Sequence, residues 1–428
     1  METIFQSENI PVTCRANVLV VGGGIAGIAA ALSAARELNA DEKTKNDGGS
    51  GENKRIRVLL AEKQYMLGGL ATAGLVTIYL PLCDGQGKQV SFSIAEELLR
   101  FSLPLWHNTA RGYNDWIARP ETEHNSRSPR FEADFNPQVF ALAAEKLLEE
   151  NGVEIFYGAT LCGVQKRGDT ITHAIFESKS ESRFGKFAVE TKTIVDASGD
   201  LDAGNAAGAN VKLYDHGNVP AAWYYSSSAA APYALHTLGF AETPEEMAGE
   251  TPQPERLSSK RINGVNGKEI SDFMRIAHSA ILKDYLEKRK ETEDFQIATI
   301  ATIPQIRMSR ALATKKPLNI AENHVRQSDS VGLIADWRKR GVVLEVPFGA
   351  LHSESAKNLI CAGRCVAVAD DNTWDMARVI PCCAVTGEAA GLAAAMLGES
   401  EKADGFAELN IEALQAKLKA RGVKLHED

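Results

Sequence analysis

The stretch that decides the fold is NVLVVGGGIAGIAAALSAARELNA, residues 17–40. The continuous β-branched and aliphatic run Asn17 to Val21 predicts a buried strand, and the Ala-rich residues after the glycines predict a helix. Between them Gly22, Gly24 and Gly27 complete a G-x-G-x-x-G pattern. Such a turn lets the backbone approach a pyrophosphate and places that anion at the helix N-terminus, where free N–H groups point. We therefore predict a dinucleotide-binding βα unit.

A second predicted strand, Arg57 to Glu62, ends in the acid that this pattern requires. In such units a carboxylate at the end of the second strand binds a ribose, usually about 20 residues after the glycines. The interval is longer here, and it contains residues 39–56, which are rich in charged residues and glycine and lack apolar periodicity. We predict that they form a surface insertion that leaves helix and strand intact.

The composition is that of a large globular protein. The 428 residues are 44% hydrophobic and 24% charged, which excludes disorder and fibrous architectures. The net charge is −9 and no Lys/Arg stripe is present, so nucleic acid is not an expected partner. Seven cysteines without metal-ligand spacing predict reduced thiols, no metal site and a cytoplasmic location. We predict no signal peptide, no transmembrane helix and no membrane partner.

Regular alternation of strands and helices occurs in two parts of the chain, residues 1–210 and 345–428. We predict that these parts form one discontinuous α/β domain with a Rossmann-like parallel sheet. Residues 211–344 lose this alternation and contain aromatic stretches and one convincing helix, Ser271 to Lys290. We predict that this region is an inserted, β-containing substrate or cap domain.

The glycine motif alone fits either NAD or FAD, and three further features favour the flavin. Gly68–Gly69 let an extended chain pass close to a cofactor, and Asp196 to Asp200 (DASGD) forms a turn after a later strand. Near the C-terminus, Cys361 to Arg364 ends a strand, and the small-residue helix Cys382 to Leu397 follows. The N-terminus of that helix can stabilise negative charge on a reduced flavin. An NAD-dependent dehydrogenase with one Rossmann domain stays the alternative.

These motifs together resemble the FAD-dependent oxidoreductases that have a glutathione-reductase-like FAD domain and no separate NAD domain. The resemblance implies a Rossmann-like FAD-binding domain of the glutathione-reductase type. It also implies redox of a small-molecule substrate by hydride transfer at flavin N5. It is carried by Val18 to Ala35, Glu62–Lys63, Gly68 to Thr72, Val195 to Gly208, Pro304 to Arg307, Asp336 to Gly341, Ala362 to Arg364, Arg378 to Pro381 and Gly387 to Gly391.

The resemblance also implies which residues contact the FAD. The three glycines of the motif would line the pyrophosphate, Glu62 would bind the adenosine ribose, and Pro381 would lie at the pyrimidine end of the ring. Arg364 would sit by the ribityl chain or the flavin pyrophosphate, at a position where the wider class usually has an aspartate. The other implied contacts are Ile25, Ala26, Lys63, Gly68, Gly69, Leu70, Ala71, Thr72, Ser198, Gly199 and Gly363.

Few catalytic side chains are needed, because a flavin carries out the electron transfer itself. Arg307 and Arg310 would face one side of a helical turn, and guanidinium forks suit a carboxylate-bearing substrate. Arg378, close to the small-residue helix, is the third candidate. Arg307 and Arg310 have an alternative role as ordinary surface or interdomain ion-pairing residues. We interpret Cys382–Cys383 as small-residue packing, because adjacent cysteines rarely form an unstrained disulfide.

A non-catalytic flavin-binding protein, serving as a sensor or assembly factor, would have the same binding motifs. No second G-x-G-x-x-G follows a predicted strand, so an enzyme of this kind needs a separate, unidentified electron donor or acceptor. The sequence leaves the substrate and the oligomeric state open.

Overall fold

The computed structural model describes residues 7–42, 56–80, 82–86, 88–102, 133–179, 185–239 and 256–427. The greater part of the predicted insertion, residues 43–55, lies outside these ranges.

The described residues form sixteen strands and eight α-helices. The strands are β1 (Val12–Val21), β2 (Ile56–Glu62), β3 (Ile78–Tyr79), β4 (Ala133–Asp134), β5 (Val153–Tyr157), β6 (Thr160–Arg167), β7 (Thr170–Glu177), β8 (Lys186–Asp196), β9 (Val211–Leu213), β10 (Ala222–Ser227), β11 (Ala234–Leu238), β12 (Gln296–Ile300), β13 (Arg310–Leu312), β14 (Ser330–Ala335), β15 (Val343–Pro347) and β16 (Leu359–Cys361). The helices are α1 (Ile25–Glu42), α2 (Ile94–Ser102), α3 (Pro137–Glu150), α4 (Asp202–Ala206), α5 (Gly267–Glu291), α6 (Asp371–Ala377), α7 (Ile380–Gly398) and α8 (Ile411–Ala420).

The largest sheet has the order β5-β2-β1-β8-β7-β6, and β16 also pairs with β8. Strands β5, β2, β1, β8 and β16 run parallel, whereas β6, β7 and β8 form an antiparallel meander at one edge. Strand β8 takes part in both, because its first residues pair with β7 and its last residues pair with β16. The sheet is of the Rossmann-like α/β kind that the sequence predicts, and the carboxyl ends of β1, β2 and β8 share one edge.

Helices α1 and α7 pack against each other through small residues. A Cβ added at Gly391 would lie 2.0 Å from the carbonyl oxygen of Ala30, and one at Gly387 would lie 2.3 Å from that of Ala26. The two backbones are therefore as close as glycine permits, which the small residues of α7 make possible. By length and composition α7 is apolar enough to cross a membrane, but 89% of its apolar window is buried in the protein core.

Two element boundaries differ clearly from the prediction. Helix α1 continues to Glu42, into the predicted insertion. Its last turn is held by tertiary contacts: Arg57 donates to the Leu38 carbonyl at 2.7 Å, and the Asn39 amide donates to the Asn151 carbonyl at 2.8 Å. Strand β1 begins earlier than predicted, at Val12, because its polar first half pairs with β8.

A smaller antiparallel sheet, β11-β10-β12, lies in the region predicted to bind substrate. Successive side chains of its central strand β10 point to opposite faces of the sheet. Tyr224 packs with Ala277 of α5, whereas Trp223 and Tyr225 pack with Leu75 on the opposite side. The sheet therefore presents one aromatic face to the chain that follows the Gly68–Gly69 pair.

Strands β14 and β15 contribute to a different part of the protein. Ile334 and Leu344 belong to the main hydrophobic core, together with α1 and α7, although the predicted boundaries assign them to the inserted region. The division of the chain into domains at residues 211 and 344 stays a prediction.

We expect Gly391→Ala to destabilise the protein, because the new Cβ would force α1 and α7 apart. Overpacking of this kind costs about 1–3 kcal/mol of unfolding free energy. Gly267→Ala, at the start of α5 where an added Cβ meets nothing within 4 Å, is the matched control. Thermal and denaturant unfolding measure both variants, and equal stability of the two would contradict the close contact of the helices.

Candidate cofactor and substrate site

A cavity of about 730 Å³ opens at the carboxyl ends of β1, β2 and β8. It brings most of the predicted site residues together, and four of them lie outside its lining. The predicted residues that line it are Gly22, Gly24, Ile25, Ala26, Glu62, Lys63, Gly68, Gly69, Leu70, Ala71, Ser198, Gly199, Arg307, Gly363, Arg364 and Arg378. The four that do not are Gly27, Thr72, Arg310 and Pro381.

The turn between β1 and α1 forms one end of the cavity, and three other segments converge on it. The Gly23 amide donates to the Glu62 carboxylate at 2.5 Å, and the Gly68 amide donates to the Gly23 carbonyl at 2.7 Å. At Gly22 φ is +99°, and an added Cβ would lie 2.5 Å from the carbonyl oxygen of Ala197. Glycine is therefore required at Gly22 both by the backbone conformation and by the approach of the chain after β8.

The other two motif glycines have different roles. A Cβ added at Gly24 would meet nothing within 4 Å, so it would project into the cavity without disturbing the protein. A Cβ at Gly27 would lie 1.8 Å from the carbonyl oxygen of Gly22. Gly27, predicted to line the pyrophosphate, therefore allows α1 to pack onto the turn instead, which is the role of the third glycine in such motifs.

The remaining residues outside the lining are occupied by contacts within the protein. The Thr72 hydroxyl donates to the Leu67 carbonyl at 2.5 Å. Pro381 is buried in the first turn of α7, where its missing N–H is tolerated. Arg310 donates to the Asp200 carbonyl at 3.2 Å and forms an ion pair with Asp202 at 3.4 Å.

The predicted helical turn that would align Arg307 with Arg310 is wrong. The segment before β13 is not helical, and the Asn218 side-chain oxygen accepts from the amides of Arg307 at 2.9 Å and Met308 at 3.1 Å. The two amides are therefore not available for the backbone hydrogen bonds of a helix. As a result Arg307 lines the cavity, whereas Arg310 points to the acids after β8.

Arg364 connects three segments at the middle of the cavity. Its Nε donates to the Gly199 carbonyl at 2.6 Å, its Nη1 to the Ile306 carbonyl at 2.6 Å and its Nη2 to the Asp200 carboxylate at 2.5 Å. The guanidinium that replaces the usual aspartate thus binds the turn after β8 to the chain just before Arg307. Arg364 still lines the cavity, but its three nitrogens are used by protein oxygens.

Three carboxyl groups surround this connection, and each has a shifted pKa. Burial raises the pKa of Asp196, against the hydrogen bonds that it accepts from Ser198 and Gly204. Burial also acts to raise the pKa of Asp200, but the charge of Arg364 and other partners bring it below its ordinary value. Burial, followed by the charges of Asp196 and Asp200, raises the pKa of Asp202 to about 6.

Apart from the glycine turn, the cavity lining includes two arginines together with apolar and aromatic side chains. The Arg307 guanidinium lies 5.9 Å from the centre of the Trp223 ring, and its Nη2 donates to Gln305 at 3.2 Å. Arg378 donates through Nε to Asp375 at 2.8 Å. The apolar and aromatic side chains of the lining include Val76, Ile78, Leu80, Ile303, Trp337 and Val379.

Two of these residues are not among the candidates of the sequence analysis. Trp223 lies in an aromatic stretch whose residues could form either a pocket wall or core, and the alternation of strand β10 places it on the opposite face from Tyr224. Asp375 stands three residues before Arg378, a spacing that allows an ion pair on one helical face and is readable from the sequence.

The cysteines form no disulfide in the described part of the chain. All seven lie in the described part of the chain and are free thiols. Cys383 lines the cavity, but burial raises its pKa to about 12, and its thiol contacts the Arg378 carbonyl at 3.2 Å. Because the thiolate is the reactive form, these values agree with the interpretation of Cys382–Cys383 as packing residues.

The residues at the glycine turn fit a flavin dinucleotide. Helix α1 begins at the cavity, and its first residues Ile25 and Ala26 line it, so unpaired first-turn N–H groups are available to a phosphate. Gly24 presents bare backbone to the same space. Each oxygen of the Glu62 carboxylate accepts one backbone amide, and a carboxylate oxygen has a second lone pair for a ribose hydroxyl. The fold and this turn define a dinucleotide-binding α/β protein.

Comparison with known families matches residues 17–418 to the family described as FAD dependent oxidoreductase. The chain belongs to this family, which confirms the resemblance found in the sequence. It is an FAD-dependent oxidoreductase, and FAD rather than NAD is the cofactor of its glycine motif. No curated protein matches the chain significantly.

Several solved structures are similar to the chain. A geranylgeranyl bacteriochlorophyll reductase-like protein from Thermoplasma acidophilum is 14% identical, with a TM-score of 0.45, and the match covers 95% of this chain and 84% of that one. A 3-ketosteroid-delta4-(5alpha)-dehydrogenase from Rhodococcus jostii is 14% identical, with a TM-score of 0.40 and coverage of 90% and 97%. A p-nitrophenol 4-monooxygenase from Pseudomonas putida is 11% identical, with a TM-score of 0.38 and coverage of 96% and 82%. None of these three likenesses assigns a substrate.

We expect Gly24→Val to leave the protein folded but to abolish FAD retention, because the side chain would fill the cavity where the pyrophosphate approaches. Gly27→Ala is the contrasting variant, since its Cβ would strike the Gly22 carbonyl and reduce stability. Thermal unfolding and the flavin absorbance per chain after gel filtration measure the two effects. A fully flavinated Gly24→Val protein would refute the assignment of the turn.

The raised pKa of Asp202 predicts a pH-dependent stability. Since folding raises this pKa from about 4 in the unfolded chain, the folded protein binds the proton more tightly, and ionisation of Asp202 lowers stability as the pH rises through 6. Asp202→Asn should therefore raise Tm above pH 6, with a gain that shrinks as the pH falls towards 4. Asp404→Asn, in an exposed ion pair with Lys357, is the control. A gain that does not change with pH would contradict the shift.

Proposed function

We propose that the protein oxidises or reduces a small, carboxylate-bearing molecule beside the arginines that line the cavity, with an FAD site of the glutathione-reductase type at the glycine turn. One observation carries this proposal: a single cavity contains the glycine turn together with Arg307, Arg378 and Trp223. FAD, when bound, supplies the acceptor or donor of a hydride at its N5 position. The protein has to bind the substrate, orient it and exclude water.

The two arginines supply the charge that a carboxylate needs. A guanidinium offers parallel N–H donors in a fixed plane, so it orients a carboxylate as well as attracting it. The surroundings strengthen this effect, because Trp223 and Val76 are apolar walls that keep the local dielectric low. The guanidinium donors at the cavity therefore favour an acid over its neutral analogue.

Other parts of the proposal concern partners and location. We propose that a separate donor or acceptor, not a nucleotide domain of this chain, exchanges electrons with the flavin, since only one glycine-rich nucleotide motif occurs in the sequence. The seven free thiols support a cytoplasmic location, because disulfides are rare there.

The direct test of the proposal is anaerobic reduction of the FAD-loaded protein by matched pairs of carboxylic acids and their amides. We expect bleaching of the visible flavin absorption by at least one acid and a much slower reaction with its amide. Equal rates for acids and amides would contradict the role of the arginines in substrate choice.

We expect Arg307→Ala to leave FAD bound and to raise KM for an acidic substrate roughly ten- to hundredfold, because a hydrogen bond to a charged group is lost. Arg275→Ala, an exposed arginine of α5 paired with Asp272, is the control and should leave KM unchanged. Steady-state kinetics measure both. Unchanged kinetics in Arg307→Ala would remove this residue from the site.

A further inference from the structure

Four charged side chains form a buried chain of alternating sign beside the cavity. Asp336 follows β14, Arg338 comes two residues later, Asp375 lies on α6 and Arg378 follows that helix. The side chains of Asp336 and Asp375 are fully buried, and those of Arg338 and Arg378 are 7% and 9% exposed. The two positive and two negative charges balance, so the group as a whole is neutral.

Asp375 is the central member of the chain. Arg338 donates through Nε and Nη2 to both oxygens of Asp336, at 2.9 Å each, and through Nη1 to Asp375 Oδ2 at 3.0 Å. Arg378 contacts the other oxygen, Oδ1, with its Nε at 2.8 Å and also with its Nη2. Asp375 therefore joins the two arginines, and each arginine uses one of its oxygens.

The two arginines differ in what they leave available. Arg338 uses all three of its nitrogens within the protein and does not line the cavity. Arg378 lines the cavity, and the described residues provide no acceptor for its Nη1. Trp337 supports the same arrangement, because it lines the cavity and its indole N–H donates to the Asp375 carbonyl at 3.2 Å.

A buried ion-pair chain contributes little to stability, because desolvation of the charges offsets most of their attraction. Its effect is to hold each charge in one orientation. Here the fixed end of the chain is Asp336, and the end at the cavity is a guanidinium with a nitrogen to spare. Arg378 thus has a defined direction before any ligand arrives, and a preorganised donor loses less entropy on binding.

We propose that Asp375 is a positioning residue: held by Arg338, it orients Arg378 so that Nη1 binds the carboxylate of the substrate. The inference rests on the proposed function, since it identifies which arginine anchors the acid and what holds that arginine. Arg307 is not a member of this chain of ion pairs: its guanidinium lies 5.9 Å from the centre of the Trp223 ring and donates to Gln305.

The test uses the FAD-loaded protein and two probes of nearly equal shape, benzoate and benzamide, titrated by calorimetry. We expect the unmodified protein to prefer benzoate, and Arg378→Met to lose most of this preference, about tenfold or more in Kd. Asp375→Asn should also weaken the binding of benzoate and leave the binding of benzamide unchanged. Asp404→Asn, in the exposed pair with Lys357, should change neither.

A double variant separates positioning from general damage. When Arg378 is already replaced by Met, Asp375→Asn should not weaken benzoate any further, because there is no guanidinium left to orient. If Asp375→Asn does not fold, Asp375→Glu is tested instead. It keeps the charge but shifts the carboxylate, so it should weaken the binding of benzoate and not that of benzamide.

The proposal is overturned if the unmodified protein has no preference for benzoate, if Arg378→Met keeps the preference, or if the two substitutions weaken benzoate independently. These outcomes differ from failure of the proposed function. A protein whose flavin is reduced by acids and not by amides, but whose benzoate preference survives Arg378→Met, would keep the proposed function and lose only this assignment.

Discussion

The hydrogen bond from the Gly23 amide to the Glu62 carboxylate is the contact on which the cofactor site depends. It joins the β1–α1 turn to the end of β2, and the parallel pairing of Val21 with Ala61 brings the two together in space. The Gly68 amide then bonds to the Gly23 carbonyl, so the chain after β2 returns to the same turn. A long insertion between α1 and β2 is tolerated because the sheet, not the connection, sets this geometry.

The sequence predicted the parts of the fold that follow from local physics. Continuous apolar strands, the glycine turn and the small-residue helix each follow from their own residues, and the structure contains all three. The end of α1 was predicted too early, because contacts of Arg57 and Asn39 with distant parts of the chain extend the helix. Such contacts cannot be read from a pattern along one segment.

The prediction of the site was limited in the same way. Residues at the carboxyl ends of strands, such as Glu62 and Ser198, were found because parallel strands bring those ends to one edge. The alignment of Arg307 with Arg310 on a helical turn is wrong, because Asn218, far away in sequence, accepts the backbone amides of Arg307 and Met308 and holds this segment in a non-helical conformation. The connection made by Arg364 between Gly199 and Ile306 is equally non-local.

The lining of the cavity attracts anions in two different ways. At the glycine turn, backbone N–H groups and the dipole of α1 favour an anion without any side-chain charge. Elsewhere in the lining, charged donors come from Arg307 and Arg378, of which Arg378 ends a chain of buried ion pairs. Under the proposed function, the backbone holds the cofactor and these side chains select the substrate.

The most direct measurement is the visible absorption spectrum of the purified protein, with the supernatant after acid precipitation compared with FAD and FMN standards. We expect a yellow protein that releases FAD in a ratio of about one per chain, since one glycine motif makes one site. A colourless protein that also fails to take up added FAD would contradict the assignment of the cavity.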